Sequence, residues 1–129
     1  MIPAEKKQEL EQILQDLQTR VEGLEQIVIL QQDGTLIAGN ISARACTPEM
    51  ITTMTAFAAL IDETCQTLQG EHGSEALIRG QQRFLAMYKT HRADMFLAII
   101  GQASVNFGLL NSGCRITIKK LEDLVGAFN

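Results

Sequence analysis

The residues of this sequence from which chemistry could start are two histidines, three cysteines, an aspartate placed before a glycine, and six arginines. His72 and His91 stand 19 positions apart in predicted turns, which reads as two surface histidines rather than a metal pair. Cys46, Cys65 and Cys114 are odd in number and far apart, so they supply neither a CxxC metal pair nor a disulfide framework. They are expected to be reduced, mostly buried thiols. Asp33 precedes Gly34 and is accounted for by turn geometry. Gly70-Glu71-His72-Gly73 leads into a predicted strand, whereas a phosphate cradle needs a helix N-terminus behind it. Arg20, Arg44, Arg79, Arg83, Arg92 and Arg115 include no obvious arginine finger, the device that stabilises charge in phosphoryl transfer. With no nucleophile-and-base pair, metal cluster or phosphate loop in view, the expectation is a protein that is not an enzyme and takes no cofactor and no metal.

The wider composition narrows the partners. The formal charge is -4 and the lysines and arginines are scattered, so no basic stripe is available to collect phosphates and nucleic acid is not an expected partner. Apolar stretches such as Met95 to Ile100 are too short to cross a bilayer, and Ile2 to Lys7 shows no signal-peptide character. The expected location is therefore the cytoplasm, without membrane insertion. At 129 residues, 46% apolar and 20% charged, the chain is expected to be one self-sufficient domain over residues 1–129.

Local patterns supply the elements. Leu10, Ile13, Leu14, Leu17, Val21 and Leu24 recur at helical spacing; Pro3 suits the first turn and Gly23 lies where the pattern runs out. Gln26 to Gln31 and Thr35 to Ala38 flank Asp33-Gly34 as a hairpin, the dipeptide supplying the positive φ angles of a tight turn. Ile41 to Thr47 reads as a connection. Thr47-Pro48-Glu49 then gives an N-cap, a first-turn proline and a carboxylate at the positive end of a second helix. That helix carries an apolar stripe of Met50, Met54, Phe57, Ala58, Ile61, Cys65 and Leu68, and Gly70 with Gly73 stops it. Its other face, Thr52, Thr53, Ala56, Ala59 and Glu63, is small or weakly polar, and exposed helix faces usually carry more charge than this.

Three further strands are predicted over Ser74 to Arg79, Arg83 to Thr90 and Asp94 to Gly101, the last a central strand because Met95 to Ile100 lacks polar alternation. Arg115 to Lys119 alone alternates like a strand. The wider register of Phe107, Leu110, Cys114, Ile118, Leu121 and Val125 favours a last helix, with Gly113 leaving room for a kink. The order α-β-β-α-β-β-β-α gives an α/β chain of α+β type, with one five-stranded, mainly antiparallel sheet and helices on its faces.

That order and several of its pieces resemble the Roadblock (dynein light chain) family over nearly the whole chain. The pieces are Val21-Glu22-Gly23-Leu24 after the first helix, the hairpin Gln32 to Ala38, the central Asp94 to Ile100, and Asn106-Phe107-Gly108-Leu109-Leu110 opening the last helix. Gln26 departs from the resemblance, standing where small residues are common. The resemblance implies a Roadblock/profilin-like fold and a link to Ras-like small GTPases. It also implies a homodimer in which the third strand pairs antiparallel with its copy while the second helices lie side by side.

Placing Leu77 at the centre of such a pair sets Glu75 of one chain opposite Arg79 of the other, a contact that would set register more than strength. The expected dimer interface is Glu75, Leu77, Arg79, Ala56 and Ala59, and the expected partner-binding face is Thr52, Thr53, Ala56, Ala59 and Glu63. The expected function is a non-catalytic regulator or scaffold for a small GTPase, or for an assembly containing one, through activation or tethering. The alternative is a small-molecule-binding sensory domain, against which stand one Tyr, no Trp and a mostly aliphatic interior.

Overall fold

The first stripe forms helix α1 (Ala4–Arg20), with Leu10, Leu14 and Leu17 buried along one side. A computed structural model describes residues 4–40, 46–70, 75–90 and 94–126 of the chain. Pro3, the stretch 41–45, His72, Gly73, Ser74, His91 and Arg92 lie outside the described residues. The helix stops a turn earlier than the stripe implies. Val21 is buried in the turn and Leu24 opens strand β1 (Leu24–Gln31), because Gly23, at φ 99°, turns the chain back over the sheet.

The hairpin between β1 and β2 (Leu36–Gly39) is present, but of the Asp-Gly pair only Gly34 takes a positive φ, 93°. The Gly34 N–H donates to the Gln31 carbonyl at 2.9 Å and the Gln31 N–H to the Thr35 carbonyl at 2.8 Å. This is a three-residue loop ending in a left-handed glycine, the other common way to close a hairpin. Asp33 serves that loop by accepting from the Thr35 N–H at 2.9 Å, and this hydrogen bond holds its carboxyl below the ordinary range.

Helix α2 (Pro48–Gln69) begins as expected: the Thr47 hydroxyl accepts from the Met50 N–H at 3.2 Å, Pro48 opens the helix, and Gly70 closes it at φ 70°. Strands β3 (Glu75–Arg79), β4 (Arg83–Lys89) and β5 (Met95–Gln102) follow, then α3 (Phe107–Gly126), which settles residues 115–119 as helix. The sheet order is β2-β1-β5-β4-β3 and every pairing is antiparallel. Strand β5 is in the middle, and its lack of alternation has the anticipated cause: both faces are covered.

Ile27, Ile29, Leu97, Ile99, Phe84 and Tyr88 pack with α1 and α3, while Val28, Leu30, Phe96, Ala98 and Met87 pack under α2. Gly113 belongs to the α1–α3 contact: a Cβ there would lie 3.1 Å from Leu17 Cδ1 and 3.2 Å from Val21 Cγ2. Helical structure runs on through it. Buried Asn40 ties α1 to the sheet, accepting from the Ile27 N–H at 3.1 Å and donating to Gln18 Oε1 and the Glu25 carbonyl at 3.0 and 3.1 Å.

Cys114 is fully buried, while Cys46 and Cys65 are half-buried. Burial pushes the Cys114 thiol up to about 12 and raises the adjoining Tyr88 hydroxyl above its ordinary value. The folded chain keeps protons here that the unfolded chain releases from about 9 upward. The associated stability is therefore present below pH 9 and drains as pH rises toward 12. In thermal melts between pH 8 and 11, Cys114→Ala should begin less stable than the parent but lose stability less steeply; equal slopes would refute this.

Candidate functional site

Among the described elements, α2 is the helix that covers its side of the sheet, with Cys46 packed beside it. Met54 is buried against the strands, with Phe57, Ala58 and Ile61 half-buried beside it, so the stripe faces inward as expected. Leu68 is the exception: at the last turn it is 76% exposed. Thr52, Thr53, Ala56, Ala59 and Glu63 are all exposed and share the outer side of the helix. The Thr52 and Thr53 hydroxyls donate back to the Pro48 and Glu49 carbonyls, each at 2.9 Å. Their donors are thus occupied within the helix, so the part of the face made by Thr52, Thr53, Ala56 and Ala59 is methyl-rich and cheaper to dry than its composition suggests.

Strand β3 is one of the two edges of the sheet and, among the described residues, pairs only with β4. The Gly80 N–H donates to the Arg83 carbonyl at 2.7 Å and closes the β3–β4 hairpin. Because antiparallel strands alternate bonded and non-bonded pairs, Ala76 and Ile78 direct their backbone groups to β4. Glu75, Leu77 and Arg79 direct theirs off the sheet. Leu77 and Ile78 are 45% and 53% exposed, one on each face of this edge, so it is apolar as well as open.

The two charges singled out on β3 have partners within the protomer. Glu75 accepts from Arg115 Nε at 3.1 Å and Nη2 at 3.2 Å. Arg79 Nη2 donates to the Ala103 carbonyl at 3.0 Å, with its guanidinium 5.1 Å from the centre of the Phe107 ring. A Glu75–Arg79 pair between two copies would have to share Glu75 with Arg115. The anticipated site residues therefore fall into two neighbouring groups, one on the outside of α2 and one along β3. Among the described residues, no cluster of His, Cys, Asp and Glu is placed to hold a metal ion, and no helix is long and apolar enough to cross a membrane.

The model of the Roadblock/LC7 domain matches residues 10–100. Among solved structures, the fold is shared with MglB of Myxococcus xanthus at a TM-score of 0.86 and 13% identity, covering 100% of this chain and 96% of that one. It is shared with an MglB in a tetrameric arrangement at 0.81 and 12%, covering 96% and 92%. A Roadblock/LC7 domain from Streptomyces avermitilis follows at 0.72 and 14%, covering 89% and 96%. No curated protein matches the sequence. With most of its length matched by the domain model and its sheet and helices arranged as in these structures, the chain belongs to the Roadblock/LC7 family.

Proposed function

We propose that the chain is a non-catalytic, homodimeric docking module that binds a Ras-like small GTPase, or a scaffold containing one, through its paired α2 helices. The observation that carries this reading is the outer face of α2, where Thr52, Thr53, Ala56 and Ala59 are exposed and small and Glu63 is exposed beside them, next to a strand, β3, that pairs on one side only among the described residues. An antiparallel β3–β3 pair can form only between residues whose backbone groups point outward. Of the registers this allows, the one centred on Leu77 keeps all five β3 residues paired. Joining the sheets would then set two α2 faces on one side of a continuous platform, and the tetrameric arrangement of a related MglB accords with a surface suited to self-association.

A GTPase on that platform would be regulated through differential binding to its switch conformations, with nucleotide held by the GTPase. The test is capture of a small GTPase from the native cell by the tagged chain. Ala56→Arg combined with Ala59→Arg should abolish capture while leaving the melting temperature within a few degrees, since both positions are exposed. Capture unchanged by these two arginines would remove α2 as the docking face.

A further inference from the structure

A cavity of about 220 Å³ opens between the flank of α2 and the end of the sheet formed by β4 and β5. Its floor is apolar, with Ile61, Met87 and Phe96 among its residues. Among the described residues its lining carries the carboxylates of Asp62, Glu63 and Asp94 and the ammonium of Lys89, whose Nζ lies 3.9 Å from Asp62, together with Glu75, whose carboxylate is turned to Arg115. Ala59 and Glu63 belong both to this lining and to the outer face of α2, so the cavity continues the docking face.

We infer that the cavity is an anchor pocket for one arginine or lysine side chain of the docked protein. The volume decides between occupants: pockets for drug-sized molecules run to roughly 300–1,000 Å³, and this one is smaller, scaled to a single long side chain. The floor suits the methylene stem of a basic residue, and the rim suits its charged end. An acidic side chain would meet Glu63 and Asp94 beside the Asp62–Lys89 pair, and a wholly apolar one would desolvate these charged groups without adding an interaction of its own. A basic residue seated in a pocket next to a face of small residues is the arrangement of a binding hot spot inside a water-excluding ring.

This inference rests on the docking reading for its partner, but the pocket can be tested without one. Amide shifts of the isotope-labelled full chain would be followed during titration with n-butylguanidinium and, separately, with uncharged n-butylurea. The cation should give saturable shifts at Ile61, Asp62, Met87 and Phe96 and bind roughly tenfold tighter than the urea, the scale of hydrogen bonds to charged groups. Asp62→Asn with Asp94→Asn should erase that difference. Equal affinity for the two probes, cation shifts elsewhere on the surface, or no shifts at tens of millimolar would each overturn the pocket. In a parallel capture experiment, a GTPase retained equally by the parent and the double variant would sink the anchor while sparing the docking reading. Charge-selective binding of the probe with no GTPase captured by the parent chain would sink the docking reading and leave a pocket for basic side chains.

Discussion

Gly101→Val is expected to cost at least about 3 kcal/mol, a large part of the roughly 5–15 kcal/mol that holds a domain of this size together. Gly101 pairs with Leu24 on one side and Phe84 on the other, where the Gly23 turn passes over the sheet. A Cβ at this position would lie 2.7 Å from the Gly23 carbonyl oxygen and 2.7 Å from Phe84 Cε1. The oxygen belongs to the backbone and cannot rotate away, and the Gln102 N–H donates to it at 2.9 Å. Phe84 has little freedom either, since its ring meets Phe107 edge-on at 5.5 Å and Phe107 carries the Arg79 guanidinium. The strain would therefore reach β3 as well as β1. A melting temperature lowered by about 10 °C or more is the result to look for. Gly70→Ala is the contrast: its φ of 70° is strained for alanine but no atom of the described residues lies within 4 Å, so it should cost only about 1 kcal/mol. A Gly101→Val variant as stable as Gly70→Ala would show that the sheet yields where the geometry says it cannot.

The second large effect is expected at the open edge. Leu77→Pro removes a backbone N–H that points away from β4, and an edge strand tolerates proline at such a position. The chain should keep its fold but lose the two hydrogen bonds at the centre of the proposed β3–β3 pair. At about 0.5–1.5 kcal/mol each, together with disturbance of the flanking pairs, dimer dissociation should rise roughly 100-fold. Ile78→Pro removes instead an N–H that serves the β3–β4 ladder, so it should destabilise the protomer itself. Light scattering across a dilution series, with thermal melts of the same samples, separates the two. A Leu77→Pro chain that dimerises like the parent would refute the joined edge, and so would a parent that is monomeric at every concentration.

Much of this architecture was legible because it is written locally. The stripes of α1 and α3, the Thr47 cap and the Gly34 turn each depend on residues within a few positions of one another, and each appears where its pattern lies. The misreadings also have local causes. Val21 and Leu24 fit a helical stripe because a buried turn and a buried strand start can fall at the same spacing. Leu68 fits the α2 stripe yet is exposed, since periodicity carries no information about which turns of a helix have another element packed against them.

The candidate site was only half visible. Small residues on one side of α2 can be read from spacing, and so can an edge strand with opposite charges about Leu77. The engagement of Glu75 by Arg115, 40 positions away, cannot. Nor can the cavity, lined in large part by α2, β4 and β5, or the Asn40 clasp, which joins α1 to β1.

Taken alone, the sequence determined the order of elements, the faces their side chains bury and the residues that start and stop them, since backbone preference and periodicity act over a few residues. Only the tertiary structure decided which glycines are irreplaceable, which carboxylates share a rim, and which of β3's backbone groups look outward. Those properties arise from atoms distant in the chain and adjacent in space, and no local pattern encodes how two elements approach each other.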